Sequence, residues 1–314
     1  MFLLKLKKST ELKRKSPGKK AEKATIMIIR KIAVIGAGLM GHGITQAVAQ
    51  TIKCDVYMCD VAPELLDKGL KQIKNNLDRL LEKKEISPAE IKQVLSRIHP
   101  VIDLREAVVD ADLIIEAVTE NKEVKAALIT KVDKIAKPTA LIVSNTSSVR
   151  ISELALATRR PERFAGMHFF NPPQSMKLVE VIRGSKTSED TIDIIVEVAK
   201  MMGKEPIIVN KDTAGFIVNR ILILALNEAA FLVEEGIASP EDIDKAIKLG
   251  LNWPMGPLAL LDYIGEDTAL AISEVLKQEL GAKYSPSPIL EKMVKKGHLG
   301  RKTGKGFYDW KTKP

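Results

Sequence analysis

A histidine and a glutamate twelve positions apart form the residue pair best suited to catalysis in this sequence. His168 ends a short apolar strand predicted over residues 164–167, and Glu180 lies inside a second apolar strand, 178–182. A carboxylate buried alone is costly, so Glu180 needs a partner, and His168 is a candidate. Histidine titrates near neutral pH, and a carboxylate behind it stabilises the imidazolium. Such a pair could take the proton from an alcohol during its oxidation.

Each member of this pair also has a purely structural interpretation. His168 could be a hydrogen-bonded core residue, and Glu180 could pair with Lys177. The remaining histidines, His42, His99 and His298, are interpreted as incidental. No cluster of His, Cys and Asp has the spacing of a metal site, so we predict no metal.

A string of polar residues follows another apolar strand, predicted over residues 141–144. It reads Asn145-Thr146-Ser147-Ser148. The carboxyl ends of the strands form the ligand-binding edge of a doubly wound sheet. At that edge the Ser147 hydroxyl could donate a hydrogen bond to a developing oxyanion, or it could instead cap a helix that begins near Ile151.

A glycine-rich turn joins the first predicted strand, 31–35, to a helix. Its sequence is Gly36-Ala37-Gly38-Leu39-Met40-Gly41, which has the spacing G-x-G-x-x-G. The first glycine permits the tight turn, the second lets the backbone approach a pyrophosphate, and the third lets the helix pack on the strand. The N–H groups that begin the helix would bind phosphates.

An aspartate at the end of the next strand selects the cofactor. Asp60 follows the strand predicted over 56–59 and stands nineteen residues after Gly41. Its carboxylate can accept hydrogen bonds from the ribose hydroxyls of NAD and would repel the 2′-phosphate of NADP. The turn, the helix and the acid together predict an NAD site.

Short apolar runs alternate with helical segments as far as residue 209, and helical segments alone follow. This alternation predicts an α/β fold: a doubly wound Rossmann-type, mostly parallel sheet, followed by a smaller all-α C-terminal domain. We predict an NAD-binding domain over 27–210 and a helical domain for substrate binding and dimerisation over 211–314. Ser87-Pro88 should begin a helix, and Asp212 or Thr213 should cap a long apolar helix over 216–233.

The positive charge of the chain is concentrated at its start. The chain of 314 residues has a net charge of +9, with nine Lys or Arg and two Glu in residues 1–26. The remainder holds 49 − 9 = 40 basic and 40 − 2 = 38 acidic residues, which leaves +2. A basic nucleic-acid-binding face is therefore not expected, and no apolar run reaches the ~20 residues of a membrane span.

Residues 1–26 are interpreted as a basic, disordered extension, and Met27 directly precedes the first strand. This segment is an unstructured extension, the product of a mistaken start site, or a mitochondrial transit peptide of unusual, lysine-rich composition. The two cysteines, Cys54 and Cys59, cannot form a disulfide scaffold, which suits a reducing compartment. We expect a cytoplasmic protein, or a mitochondrial matrix protein if the extension is a transit peptide.

Six segments taken in order resemble the L-3-hydroxyacyl-CoA dehydrogenase family, whose single-function members are also called 3-hydroxybutyryl-CoA dehydrogenases. They read GAGLMGHGI, SNTSS, RFAGMHFFNPPQSMKLVEVI, DTAGFIVNRI, WPMGPLALLDYIG and RKTGKGFYDW. The resemblance covers residues 29–310. It implies interconversion of (3S)-3-hydroxyacyl-CoA and 3-oxoacyl-CoA with NAD, and a homodimer formed through the helical domain.

The resemblance also implies roles for individual residues. His168 would be the catalytic base and Glu180 its partner, Ser147 would bind the substrate oxygen near the nicotinamide, and Asn219 would complete the site. Further contacts are implied with the cofactor for Glu120, Lys125 and Lys302, and with the CoA moiety for Asn171, Asn76 and Lys83.

Two other functions remain open at this stage. A related NAD-dependent dehydrogenase could act on a non-CoA hydroxy acid such as gulonate, and a structural protein of this fold could bind NAD without catalysis. The segment after His168 favours an acyl-CoA substrate, and the set of Ser147, His168, Glu180 and Asn219 argues against a non-catalytic role.

Overall fold

The structure, a computed structural model, describes residues 29–311. The predicted basic extension and Met27 lie outside these residues. The chain divides into two compact units, one ending at Asp212 and the other beginning at Thr213. In the part of the chain that the structure describes, no helix is long and apolar enough to cross a membrane.

The first unit alternates strands with helices. Its elements are β1 (Lys31–Ile35), α1 (Leu39–Thr51), β2 (Asp55–Cys59), α2 (Pro63–Glu82), α3 (Pro88–Ser96), β3 (Ile98–Val101), α4 (Leu104–Val108), β4 (Leu113–Glu116), α5 (Lys122–Ile135), β5 (Leu141–Ser144), α6 (Ile151–Leu154), β6 (Phe164–Phe169), β7 (Leu178–Ile182), α7 (Glu189–Met201) and β8 (Glu205–Val209).

These eight strands form one sheet in the order β3-β2-β1-β4-β5-β6-β7-β8. All neighbours are parallel except β6 and β7, which are antiparallel. The central strands β4, β5 and β6 are buried along their whole length, because helices cover both faces of a parallel sheet. The predicted Rossmann-type fold is confirmed, and the order reverses between β1 and β4, where such sheets bind ligands.

Two strands differ from the sequence prediction. β3 was not among the predicted strands, because it is only four residues long and contains Pro100, which cannot donate to a ladder. β6 continues to Phe169, so His168 lies inside this strand and not at its end as predicted. Antiparallel pairing with β7 extends the strand through these two residues.

Of the two predicted helix caps, one is confirmed and the other is wrong. Ser87 begins α3 with a complete capping box: its Oγ accepts a hydrogen bond from Glu90 N at 3.3 Å, and Glu90 Oε2 accepts from Ser87 N at 2.8 Å. The cap predicted at Asp212 or Thr213 for the long apolar helix is wrong, because that helix begins at Val218 after Ile217 and has no side-chain cap. Asp212 instead accepts hydrogen bonds from Ile151 N and Ser152 N, at 3.2 and 2.7 Å, at the start of α6.

The regular secondary structure of the second unit, over its described residues, is helical apart from isolated β-bridges that join Lys305 to Gly300 and to Asp309. It contains α8 (Val218–Glu234), α9 (Pro240–Leu251), α10 (Pro257–Ile264), α11 (Glu266–Leu280) and α12 (Pro288–Lys295). Asp262, near the end of α10, binds the segment 307–310. Its carboxylate accepts hydrogen bonds from Phe307 N at 2.8 Å, Tyr308 N at 3.0 Å and Trp310 Nε1 at 2.7 Å.

Candidate active site

The register of the β6–β7 pair brings His168 and Glu180 face to face. They are direct partners in the antiparallel ladder, and His168 Nδ1 lies 2.7 Å from Glu180 Oε2. Both side chains are buried. With the carboxylate ionised, Nδ1 carries the proton of this hydrogen bond, so Nε2 is the nitrogen that can take a proton from a ligand. The arrangement is that of a general base with an orienting acid.

The glycine turn has the geometry that its spacing predicts. Gly36 has a φ of +110°, and a Cβ there would lie 2.4 Å from Ala117 O. A Cβ at Gly41 would lie 1.8 Å from Gly36 O, whereas one at Gly38 would meet no atom within 4 Å. Leu39 and Met40 then form the first turn of α1. The turn is therefore closed at its ends and open at Gly38, where a pyrophosphate would approach the helix N-terminus.

Asp60 is held in place by the turn that it faces. Its Oδ2 accepts a hydrogen bond from Ala37 N and its Oδ1 from Val61 N, both at 2.7 Å. Beside it is a cavity of about 430 Å³ whose lining is mainly apolar and includes Ile35, Val61, Ile102, Leu104, Val118, Val124, Ala127 and Leu128. The flat aromatic faces of an adenine ring suit such a cavity, and the fixed carboxylate suits the neighbouring ribose. These residues fit NAD.

Glu120 organises the polar turn after β5. Its Oε1 accepts hydrogen bonds from Thr146 Oγ1 at 2.6 Å, Ser147 N at 2.7 Å and Ser148 N at 2.9 Å. Burial alone would raise the pKa of Glu120, but the Lys125 ammonium and these hydrogen bonds lower it to about 2. The Ser147 hydroxyl donates to Glu120 Oε1 at 3.2 Å, so Ser147 belongs to this network and does not cap α6.

Lys125 is the buried cation of the same network. It is 1% exposed, and its Nζ lies 2.8 Å from Glu116 Oε1 and 3.1 Å from Glu120 Oε2. Glu116, which the sequence analysis missed, also accepts a hydrogen bond from the Ser144 hydroxyl. The structure thus brings Glu120, Lys125 and Ser147 together, with the Lys125 ammonium between the carboxylates of Glu116 and Glu120.

A second cavity, of about 450 Å³, is bordered by the start of α1, the polar face of α2 and the loop after β6. Asn76 and Asn171 line it, as the predicted CoA contacts require. Lys83 does not line it and lies exposed at the end of α2. The cations on the cavity wall are Lys68 and Arg79, which sequence reasoning missed.

His42 also lines this cavity, a position that its interpretation as incidental did not anticipate. It is 9% exposed, and its Nδ1 lies 2.7 Å from Gly38 O. Burial lowers the pKa of His42, although the hydrogen bond to Gly38 opposes the shift. A neutral imidazole at this position places no side-chain charge beside the first turn of α1.

Two predicted site residues belong to the helical unit. Asn219 is buried in the first turn of α8. Lys302 forms an ion pair with Asp267 at the start of α11. The contacts predicted for Asn219 and Lys302 with ligands stay predictions.

Comparisons with known proteins cover almost the whole described chain. A model of the NAD-binding domain of 3-hydroxyacyl-CoA dehydrogenase matches residues 31–213, and a model of the C-terminal domain of the same enzyme matches residues 215–310. A probable 3-hydroxybutyryl-CoA dehydrogenase of Bacillus subtilis is 49% identical over 288 residues, which cover 91% of this chain and 99% of that protein.

Other similar proteins carry related names. A probable 3-hydroxybutyryl-CoA dehydrogenase of Deinococcus radiodurans is 50% identical over 281 residues, covering 89% of this chain and all of that protein. The crystal structure of (S)-3-hydroxybutyryl-CoA dehydrogenase from Ralstonia eutropha superimposes with a TM-score of 0.86 at 44% identity, covering 90% of this chain and 99% of that one.

Proposed function

Because the chain belongs to the 3-hydroxyacyl-CoA dehydrogenase family, an NAD-dependent class of oxidoreductase, we propose that it interconverts (3S)-3-hydroxyacyl-CoA and 3-oxoacyl-CoA. The observation that carries this proposal is the buried pair of His168 and Glu180, 2.7 Å apart, in the same unit as the glycine turn. A base that can take an alcohol proton and a site that fits NAD are the two requirements of the reaction.

The residues of the site divide the chemistry between them. Bound NAD would supply the acceptor for the hydride of the carbinol carbon, and NADH would supply the hydride in the reverse direction. His168 Nε2 takes the proton of the substrate hydroxyl, and Glu180 stabilises the imidazolium that results. Ser147 is positioned by the hydrogen bond from its backbone N–H to Glu120, and its hydroxyl would turn from Glu120 to donate a hydrogen bond to the substrate oxygen. In the reverse direction the imidazolium of His168 returns the proton.

The experiment that tests this function is an assay of NADH absorbance with acetoacetyl-CoA. We expect rapid oxidation of NADH and little oxidation of NADPH, because the carboxylate of Asp60 would repel a 2′-phosphate. Acetoacetate without CoA should be a poor substrate. Turnover of gulonate-type acids in place of acyl-CoA would support the alternative hydroxy-acid enzyme, and NADH binding without turnover would support the non-catalytic alternative.

Binding of the CoA moiety is assigned to the cavity between α1 and α2. Its wall combines the cations Lys68 and Arg79 with the amides of Asn76 and Asn171, which suits a ligand that carries phosphates and amide groups. This set of groups favours acyl-CoA over a small hydroxy acid.

Replacement of Arg79 tests this assignment. We expect Arg79→Met to raise the KM for acetoacetyl-CoA about tenfold with little change in kcat, because a charge-assisted contact to a phosphate is lost. Lys74→Met, which removes an exposed lysine of α2 outside the cavity, is the control. Lys83→Met should behave like the control; an increase in KM for Lys83→Met but not for Arg79→Met would contradict the assignment.

We place a homodimer interface on the helical unit. Its exposed apolar side chains include Ile221 on α8, at 65% exposure, and Leu249 and Leu251 on α9, at 76% and 61%. Exposed apolar groups of this number suit burial against a second copy. Sedimentation equilibrium of the whole chain measures its oligomeric state directly.

We further propose that the protein is located in the cytoplasm. Cys54 and Cys59 are both free thiols, as expected in a reducing compartment. Fusion of residues 1–26 to a fluorescent reporter would show whether this segment directs import into mitochondria instead.

A further inference from the structure

A buried lysine lies at the turn between α7 and β8. Lys204 is 6% exposed, and its Nζ donates hydrogen bonds to Pro173 O at 2.6 Å and Met176 O at 2.8 Å. Within residues 29–311 no carboxylate forms an ion pair with this ammonium, and burial lowers its pKa. Lys204 therefore places a cation, without a counter-charge, against two backbone carbonyls.

Such a group is expensive to bury. An ammonium removed from water loses its solvation free energy, and hydrogen bonds to neutral carbonyls restore only part of that loss. An apolar side chain of the same length would fill the space without this penalty. The two hydrogen bonds of the Lys204 ammonium reach the connection between β6 and β7. Holding this connection in place explains why a lysine stands at this position.

That connection, residues 170–177, borders the cavity assigned to CoA. Asn171, Pro172 and Gln174 line the cavity. The loop is also packed closely on α1, since a Cβ at Gly43 would lie 2.6 Å from Pro173 Cγ. A shift of the loop by one ångström would therefore change the shape of the cavity wall.

The catalytic pair does not depend on this loop in the same way. His168 and Glu180 are held by consecutive rungs of the β6–β7 ladder, including the pairs Met167 with Val181 and Phe169 with Val179. Loss of the two Lys204 hydrogen bonds would release the loop while leaving these rungs in place. Substrate binding and proton transfer should consequently respond differently to a change at Lys204.

We propose that Lys204 is a positioning residue, which fixes the loop 170–177 as one wall of the acyl-CoA cavity and thereby sets the affinity for the CoA substrate without contacting it. This inference rests on the proposed function for the identity of the ligand. The position of the loop can be measured without that ligand.

The test is Lys204→Met, which keeps the length of the side chain and removes its donors. We expect the KM for acetoacetyl-CoA to rise about tenfold, kcat to stay within threefold, and the Kd for NADH to remain unchanged. Lys200→Met is the matched control, because Lys200 lies four residues earlier, is 56% exposed and pairs only with Glu197. Lys204→Arg, which keeps a charged donor, should recover part of the affinity.

Amide hydrogen exchange supplies a second measurement. In Lys204→Met we expect faster exchange in residues 170–177 and unchanged exchange in β6 and β7. A lower Tm with wild-type KM and wild-type loop exchange would overturn the inference and leave Lys204 a stabilising residue only. If Lys204→Met does not fold, the same comparison is made with Lys204→Gln. Absence of wild-type turnover would overturn the proposed function, whereas the exchange result would still decide the role of Lys204.

Discussion

Replacing His168 with glutamine should lower kcat by at least ~10²-fold while leaving the Kd for NADH within twofold of the wild-type value. Glutamine retains a polar side chain of similar size but cannot take the proton of the substrate hydroxyl. The cofactor site is built from β1, β2 and α1, and His168 lies on β6 and does not form part of it. Steady-state kinetics with acetoacetyl-CoA and NADH titration measure the two quantities.

Two further variants sharpen this result. Glu180→Gln should also reduce kcat, because an amide in place of the carboxylate does not stabilise the imidazolium. His99→Gln is the control: His99 lies on β3 of the same unit, with its side chain 38% exposed and paired with Asp55. A His168→Gln enzyme with kcat within threefold of wild type would exclude His168 as the base.

Replacing Glu266 with glutamine should stabilise the protein at neutral and alkaline pH. Glu266 is fully buried at the start of α11, and both its carboxylate oxygens lack a hydrogen-bond donor. It converges on Asp262, since a Cβ at Gly306 would lie 2.3 Å from Asp262 Oδ1 and 2.5 Å from Glu266 Oε1. Burial, followed by the hydrogen bond that the protonated form makes to Asp262, raises the pKa of Glu266 to about 9.

The direction of the pH dependence follows from this raised pKa. A carboxyl that binds its proton more tightly in the folded state stabilises that state fully below the unfolded pKa, and this stability is lost as the pH rises through the folded pKa. The window for Glu266 runs from 4.5 to about 9. At pH 7 the loss amounts to about 3 kcal/mol, which Glu266→Gln should avoid because an amide carries no charge.

Thermal unfolding at pH 5 and pH 8 measures this effect. The Tm of Glu266→Gln should exceed that of wild type by several degrees at pH 8, and the difference should shrink at pH 5. Glu274→Gln, an exposed substitution on the same helix, is the control. An equal change in Tm at both pH values would show that Glu266 is not protonated in the folded protein.

The sequence predicted the features that depend on local pattern. Apolar runs bounded by turn residues gave β1, β5 and β7 with their observed bounds, and the spacing of the glycines predicted a turn whose geometry the structure reproduces. The cost of burying Glu180 was enough to suggest His168 as its partner. Predicting these features requires only residues that are close in the sequence and the general chemistry of their side chains.

Features that depend on helical phase or on burial could not be predicted in this way. Arg79 and Lys83 stand one turn apart on α2, and only the orientation of the folded helix shows that Arg79 lines the cavity. Lys125 and Lys204 are two lysines in a lysine-rich chain, and nothing in their neighbours marks them as buried. Glu266 follows a glycine at a helix start, where an exposed acid is ordinary.

The antiparallel step between β6 and β7 has a consequence for chain entropy. His168 and Glu180 are brought together by closing the loop 170–177, whereas pairing of β1 with β4 joins Ile32 to Leu113 across intervening helices. The entropy lost in loop closure grows with the length of the loop, so the hairpin costs less to form than any parallel pair of the sheet. His168 and Glu180 are therefore neighbours by local topology, and their hydrogen bond can form again after a local opening without the rest of the sheet being rebuilt.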